Sequence, residues 1–250
     1  MGSQQLLTVQ RAIAYLLHLA GEGPTSVPRM AEHFGVPVST AYRYVAALKD
    51  AGLVWVLPGG ALGLGPRCVQ LETSFRQSVD SWSPYRAVMG ELARITGETV
   101  ALLVPLEHEA VCIDTVESDQ PLRYTFSKGV AKPMLRGAST KVMLPYLPDH
   151  CVEALFERDT VLGPEGRVRL MADLPRIRQQ GYAVSREEVD QGVWAVGVPV
   201  LNDSGKLEGA LSIIAPIFRV EGREAFLIRA TLEATKQMPS ILGTEMDLAV

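Results

Sequence analysis

Residues 25–64 constrain the fold of this chain more than any other stretch, because helix, turn and strand signals follow one another closely there. A first apolar stripe at helical spacing consists of Val27, Met30, Ala31 and Phe34. A second stripe consists of Ala41, Val45 and Leu48. Gly35 and Pro37 separate the stripes, since glycine accepts the left-handed geometry that ends a helix and proline cannot donate to a continuing one. The pattern predicts two short helices joined by a tight turn.

A small hairpin is expected directly after these helices. Apolar residues alternate over residues 54–56 and again over residues 62–64, and Pro58-Gly59-Gly60 between them is typical of a turn. Together with the two helices, this hairpin predicts a winged helix-turn-helix. Such a module places its second helix in the major groove of DNA.

The second helix of the module carries the residues expected to contact DNA. It offers short donors near its start and cations further along, as base edges and phosphates require. The candidate contacts are Ser39, Thr40, Tyr42, Arg43, Tyr44 and Lys49. The positive charge is modest, because the first 67 residues hold five arginines and lysines against three acidic residues, and the hairpin has no cation before Arg67. A helical subdomain with a solvated polar face, or a protein-interaction module without DNA contact, is therefore a competing interpretation.

The overall charge restricts any DNA contact to a local surface. The chain has 250 residues, a formal net charge of −4 and a pI of about 5.7, so it is not a generally basic protein. Its three cysteines form no CxxC pair, which indicates neither a metal site nor a disulfide framework, and no cofactor is expected. We find no signal-peptide layout and no apolar run of membrane length, which favours a cytoplasmic protein without membrane contact.

Three segments make up the predicted domain organisation. Residues 1–66 are expected to form the DNA-binding domain, residues 67–80 a linking helix, and residues 81–250 a second domain. The DNA-binding domain should begin with a helix that starts at Thr8, stops at Gly21 and packs under the helix-turn-helix. The apolar stripe of that helix comprises Val9, Ala12, Ile13, Leu16, Leu17 and Ala20.

The second domain reads as hairpins with helices between them. Strands are expected at residues 99–106, 110–116, 122–126, 181–184, 193–201 and 207–216. Helices are expected at residues 83–97, 138–147, 149–157, 170–180 and 224–238. Because the strands come mostly as hairpins, the fold class is α+β with a mainly antiparallel sheet flanked by helices. Trp194 is expected on the opposite face of this sheet from its neighbours Val193 and Ala195.

An enzyme is the second function class that the residues leave open, with Cys151 or Ser139 as the nucleophile of a hydrolase. His150 precedes Cys151, but sequence neighbours on a helix do not normally face each other, and catalytic partners usually meet through folding. The acidic run at Glu187, Glu188 and Asp190 is more typical of a solvated loop than of a cation site. We therefore predict no catalytic residue and no metal ligand.

Three stretches carry a resemblance to a known family: GLVWVLPGGALGLGPR, GVAKPMLRGASTKVMLPYLP and QQGYAVSREEVDQGVWAVGVPVLNDSGKLEGALSIIAPIFR. The third is the most specific, because the family's glycines and prolines stand in place through strand, loop and hairpin. Over nearly its whole length the chain resembles the IclR-type transcriptional regulators. The resemblance implies a GAF-like C-terminal effector domain, dimers that often pair into tetramers, and repression of a catabolic operon in response to a small metabolite.

The resemblance also implies an effector site. Its residues would be Ala138, Ser139, Thr140, Ser185, Val193, Ala195, Ser212 and Ile214. Thr140 replaces a typical glycine, Gly197 replaces a typical alanine, and Ser185 offers no charge, so a cationic or strongly donor-rich ligand is less expected. Free backbone N–H groups at a helix start attract anions.

We therefore expect a small carboxylate, including an aromatic acid, with its charge at residues 138–140 and its body on Val193, Ala195 and Ile214. Such an effector would act by changing the spacing of two winged domains through the helix at residues 67–80.

Overall fold

The computed structural model describes residues 2–78 and 83–238, with side chains from residue 8 to 77 and from 84 to 238. The chain divides into two compact units, residues 1–80 and residues 81–250. No helix in the described part of the chain is long and apolar enough to cross a membrane.

The first unit is a winged helix-turn-helix, as predicted. Its helices are α1 (Gly2–Glu22), α2 (Val27–His33), α3 (Val38–Asp50) and α4 (Arg67–Ser78), and its strands are β1 (Val54–Val56) and β2 (Leu62–Leu64). The two strands pair antiparallel. Leu62 also exchanges two backbone hydrogen bonds with Thr25, at 2.7 and 3.1 Å, which attaches the hairpin to the segment before α2. The last two residues of the expected linking helix, Val79 and Asp80, lie outside the described residues.

Aromatic packing holds the core of this unit together. The ring of Tyr15 stacks on Phe34 at 4.6 Å and meets Tyr44 edge-on at 5.5 Å. Tyr44 is therefore buried, and its prediction as a DNA contact is wrong. The physical reason is its position one turn from Ala41 and Leu48, on the face of α3 that packs against α1 and α2.

The helix α1 differs from expectation in its length and in its buried face. It begins at Gly2 rather than at Thr8, and Gly21 lies inside it. From residue 8 onward, its buried residues are Tyr15 and Leu19. Part of the predicted stripe is exposed instead: Val9, Ile13 and Leu17. A tyrosine and a leucine thus replace part of the purely aliphatic stripe as the inner face of this helix.

The second unit is built on a six-stranded antiparallel sheet in the order β5-β4-β3-β8-β7-β6. Its strands are β3 (Thr99–Leu106), β4 (Glu109–Val116), β5 (Ala131–Pro133), β6 (Ala183–Arg186), β7 (Val193–Leu201) and β8 (Leu207–Pro216). Its helices are α5 (Ser83–Thr96), α6 (Ala138–Lys141), α7 (Asp149–Arg158), α8 (Gly163–Gln180) and α9 (Glu224–Thr235). The predicted α+β class with an antiparallel sheet is confirmed.

Each face of the sheet has its own apolar core. One core joins the sheet to α5 and α9, and it contains the fully buried Trp194. The other joins the sheet to α6, α7 and α8, and includes Ala195 and Ile214. Because alternate residues of a strand point to opposite faces, the neighbours Trp194 and Ala195 belong to different cores.

Two segments near the ligand site depart from the prediction. Residues 122–126 form no strand, although Thr99 donates its hydroxyl to the carbonyl of Tyr124 at 2.7 Å. The short strand β5 pairs with β4 in their place. The helix expected over residues 138–147 is only four residues long, and a 3-10 turn with Pro145 follows it. Proline favours this break because it lacks a backbone N–H.

Candidate DNA-reading helix and effector cavity

One side of α3 is open to solvent. Ser39, Tyr42, Arg43 and Lys49 are exposed, and Thr40 is half-buried. Tyr42 stands out because 56% of this large side chain is exposed. In the described part of the chain, neither Arg43 nor Lys49 makes an ion pair within the 4.0 Å limit. Five of the six predicted contacts thus lie where a duplex could reach them.

The hairpin beside α3 offers apolar rather than charged surface. Trp55, Val56 and Leu64 are exposed. Arg67, the first cation after the hairpin, directs its Nε to the carbonyl of Ala51 at 3.3 Å and a terminal nitrogen to Gln70 at 2.8 Å. These bonds hold Arg67 against the end of α3.

A cavity of about 60 Å³ opens in the second unit, between α6, the strands β6 to β8 and two loops. Seven of the eight predicted effector residues line it: Ala138, Ser139, Thr140, Ser185, Val193, Ala195 and Ile214. The packing of α6 on β7 brings these residues together. An added Cβ at Gly197 would lie 2.6 Å from the carbonyl oxygen of Ala138, so the two backbones approach closely there.

Ser212 is the predicted effector residue that does not line the cavity. It is fully buried and pairs with Gly197 across β7 and β8, so both residues face α6. Because the α6 backbone covers this position at Gly197, Ser212 lies under the helix rather than in the cavity wall. Its hydroxyl has no hydrogen-bond partner among the described residues.

The two loops supply wall residues that the sequence did not predict. They are Tyr124, Phe126, Arg136 and Gly137 before α6, and Glu188, Val189 and Asp190 between β6 and β7; Lys132 and Pro133 of the strand β5 also line the cavity. The acidic run that suggested a solvated loop thus borders the cavity. A signal was present in the sequence, because both loops flank predicted cavity strands and carry clustered charges of opposite sign.

The start of α6 is already in contact with a carboxylate of the chain itself. The backbone N–H of Gly137 donates to Glu188 at 3.3 Å, and Lys141 Nζ lies 2.5 Å from the same carboxylate. Lys141 also donates to the carbonyl of Val184 at 3.3 Å. A helix of four residues has a small dipole, so the expected anion site at residues 138–140 has less support than the sequence indicated.

Among the described residues, the other charged groups of the wall, Lys132, Arg136 and Asp190, make no ion pair within 4.0 Å. Tyr124 donates its hydroxyl to Asp190 at 2.6 Å, and burial together with that carboxylate raises the pKa of Tyr124. Lys132 Nζ lies over the ring of Phe126, 5.3 Å from its centre. The Nε of Arg136 is buried and has no hydrogen-bond partner among the described residues.

The two nucleophile candidates do not form a catalytic arrangement. His150 Nε2 does contact Cys151 Sγ at 3.4 Å, contrary to expectation, but Cys151 is only 4% exposed and does not line the cavity. Ser139 lines the cavity, yet the described wall contains no histidine that could activate it.

Comparison with known proteins covers both units. The model of the bacterial transcriptional regulator IclR C-terminal domain matches residues 76–241, and the IclR helix-turn-helix domain model matches residues 8–56. The chain is 34% identical over 221 residues to the HTH-type transcriptional regulator Rv1719 of Mycobacterium tuberculosis, covering 85% of this chain and 83% of that protein.

Two further similarities agree with this match. The Transcriptional repressor IclR of Escherichia coli (strain K12) is 27% identical over 250 residues, covering 92% of this chain and 89% of that protein. A crystal structure of an IclR transcriptional regulator from Alicyclobacillus acidocaldarius shares the fold, with a TM-score of 0.77, 23% identity and coverage of 91% of this chain and 95% of that one.

A winged helix-turn-helix joined in one chain to a domain with a ligand-sized cavity defines a DNA-binding regulator of transcription. The similar proteins are regulators as well, and not enzymes, which sets the hydrolase alternative aside. The chain belongs to the IclR family of transcriptional regulators.

Proposed function

We propose that this chain is a cytoplasmic repressor of a catabolic operon, and that a small carboxylate bound in the second unit controls the affinity of the chain for operator DNA. The observation that carries the proposal is the cavity of about 60 Å³ whose wall includes Arg136, a cation that makes no ion pair with the described residues. The name of the Escherichia coli relative, a transcriptional repressor, supports the direction of control.

The volume of the cavity restricts the size of the effector that can bind there. One water molecule needs about 10–15 Å³ measured in this way, so about 60 Å³ holds roughly four to six waters. A short aliphatic acid fits that space better than an aromatic acid does. The apolar body of such an acid would contact Val193, Ala195 and Ile214, as the sequence indicated.

A homodimer is the form that we propose to bind DNA. Val9, Ile13 and Leu17 lie four residues apart along α1 and are 50% exposed or more. A row of large apolar side chains on a helix favours burial against an identical row of a second copy. Two copies would place two α3 helices against two half-sites about one or two helical turns apart.

Substitutions in α3 test the DNA-binding half of the proposal. If Arg43 contacts a phosphate, Arg43→Ala weakens binding to all sequences by about tenfold and lowers the salt slope by about one. Thr40→Ala instead relaxes the preference at one base pair, because Thr40 lies at the start of the helix near the base edges. Titration of labelled promoter DNA and of a shuffled duplex at several salt concentrations separates these effects.

Arg169→Ala is the matched control, since this exposed arginine of α8 pairs with Glu165 at 3.2 Å in the other unit. The proposal fails if neither α3 substitution changes DNA binding, or if Arg169→Ala changes it equally.

A further inference from the structure

Two opposite charges line the effector cavity without contacting each other. Arg136 and Asp190 both belong to its wall. Among the described residues, neither side chain has an ion-pair partner within the 4.0 Å limit. The remaining acidic group of the wall, Glu188, is neutralised by Lys141 at 2.5 Å. The second cation of the wall, Lys132, lies over the ring of Phe126. The cavity thus has a guanidinium and a carboxylate that form no ion pair with each other and can each bind a group of a ligand.

Arg136 has the chemistry to receive a carboxylate. Arg136 lines the cavity, and its guanidinium has no ion-pair partner within 4.0 Å among the described residues. Its buried Nε also has no hydrogen-bond partner among them, and an unpaired buried donor costs stability. A planar guanidinium binds a carboxylate through two parallel hydrogen bonds. The α6 backbone is the weaker candidate, because the N–H of Gly137 already donates to Glu188.

Asp190 sets a condition on the rest of the ligand. Its carboxylate accepts a hydrogen bond from the hydroxyl of Tyr124 at 2.6 Å, and the residue is exposed and lines the cavity. An ionised carboxylate is an acceptor only, so it favours a ligand group that donates a hydrogen bond. It also repels a second carboxylate on the ligand.

Resting on the proposed function as an acid-responsive regulator, we propose that Arg136 binds the carboxylate of the effector and that Asp190 selects a hydrogen-bond donor on the same molecule. The effector is then a short carboxylate that carries a hydroxyl or an ammonium group. The sequence analysis expected a cationic or donor-rich ligand less, because Ser185 is uncharged. Asp190 in the cavity wall reverses that expectation. A cavity of about 60 Å³ favours a short ligand of this kind.

A three-carbon panel tests this selectivity with the full chain. Calorimetric titration at neutral pH compares propionate, lactate, alanine and malonate. Lactate and alanine add a hydroxyl or an ammonium group to the carbon beside the carboxylate of propionate, and malonate replaces the methyl group of propionate with a second carboxylate. We expect lactate or alanine to bind at least tenfold more tightly than propionate, and malonate no more tightly than propionate. The better of lactate and alanine identifies the donor as hydroxyl or ammonium.

Two substitutions assign the two roles. Arg136→Gln should weaken every acid at least tenfold, and Arg136→Lys should weaken them less because it keeps the charge. Asp190→Asn should leave propionate within about twofold while removing the preference for the better donor-bearing acid. Arg169→Gln on α8 and Asp203→Asn in the β7–β8 turn are matched controls, and thermal unfolding checks that each variant folds.

Equal binding of all four acids, or tightest binding of malonate, overturns the role of Asp190. Acid binding that survives Arg136→Gln unchanged overturns the role of Arg136. In both cases acid binding itself persists, and the proposed function stands. If no acid of the panel binds the wild-type chain, this inference is overturned. The proposed function then fails separately only if no other acid releases operator DNA.

Discussion

Gly197 determines, at the scale of a single residue, how closely α6 packs on the sheet beside the cavity. An added Cβ would lie 2.6 Å from Ala138 O and 2.9 Å from Ser139 Cα, and both are backbone atoms. The resemblance to the family marks this glycine as a departure from alanine, and the contact explains why the smaller residue is needed here.

We predict that Gly197→Ala lowers the free energy of unfolding by about 1–3 kcal/mol, because overpacking forces α6 to shift. Effector affinity should fall with it, since α6 forms part of the cavity wall. Gly90→Ala is the control, because α5 has open space there and alanine should raise stability by about 0.5–1 kcal/mol. Urea denaturation measures both, and an equal effect of the two substitutions contradicts the close approach.

Asp114 makes stability depend on pH. Burial alone would raise its pKa, but the hydrogen bonds from Lys128 and the Thr115 N–H, with the charges of Lys128 and Arg86, lower the pKa below the ordinary value of 3.8. Arg86 and Lys128 lie 2.9 and 2.5 Å from the carboxylate. A lowered pKa in the folded state adds stability above the ordinary value, and that stability is lost as pH falls through the lowered pKa.

Asp114→Asn should therefore cost about 2 kcal/mol at neutral pH, where charged hydrogen bonds are lost. The difference from the wild type should shrink once the pH drops below the ordinary value of 3.8. Denaturant titrations at a series of pH values measure this, with the exposed Asp119→Asn as control. A difference that stays constant down to the most acidic pH argues against an ionised Asp114.

At the scale of elements, α1 carries the prediction about assembly. Ile13→Glu places a charge in the middle of the exposed apolar row, so the proposed dimer should dissociate. Sedimentation should then show a monomer, and operator affinity should drop because the two half-sites no longer bind together. Val161→Glu is the matched control, since Val161 is also an exposed aliphatic residue but lies in the second unit. A monomeric wild type, or an Ile13→Glu variant that stays dimeric, contradicts the proposal.

The regular elements could be predicted from the sequence, because their signals are local. Gly35, Gly52 and Gly181 have φ between +60° and +76°, the left-handed geometry expected where α2, α3 and α8 end. The strand predicted at residues 122–126 is wrong because apolar alternation does not show whether a partner strand is available for pairing. In the structure, β5 occupies that edge of β4. The predicted buried face of α1 is partly wrong because a 3.6-residue period does not show which of two adjacent apolar rows packs inward.

The cavity was predicted on its strand and helix side but not on its loop side. The resemblance to the family implied Val193, Ala195 and Ile214, and period-two alternation agrees with it because Val193 and Ala195 lie on one face of β7. Arg136 and Asp190 come from loops far apart in the chain, and only the tertiary fold brings them to one wall. Ser212 does not line the cavity for a related reason. The helix α6 covers this part of β8, and it can do so only because Gly197 on the neighbouring strand is small.

At the scale of the whole molecule, we propose that the first unit binds operator DNA and that an acid bound in the second unit controls this binding. Scattering in solution with and without the acid tests the expected change in the spacing of the winged units. An unchanged profile would count against that route, though not against acid control itself.

The most direct measurement is the binding of the full-length chain to the DNA upstream of its own coding region, followed by fluorescence anisotropy at low ionic strength. We predict tight binding that prefers this DNA over a shuffled duplex, weakens steeply with salt, and is released by the acid that binds best in calorimetry. Arg136→Gln should bind the DNA normally but resist release by the acid. A chain that ignores this DNA, or that holds it equally with and without every acid tested, contradicts the account.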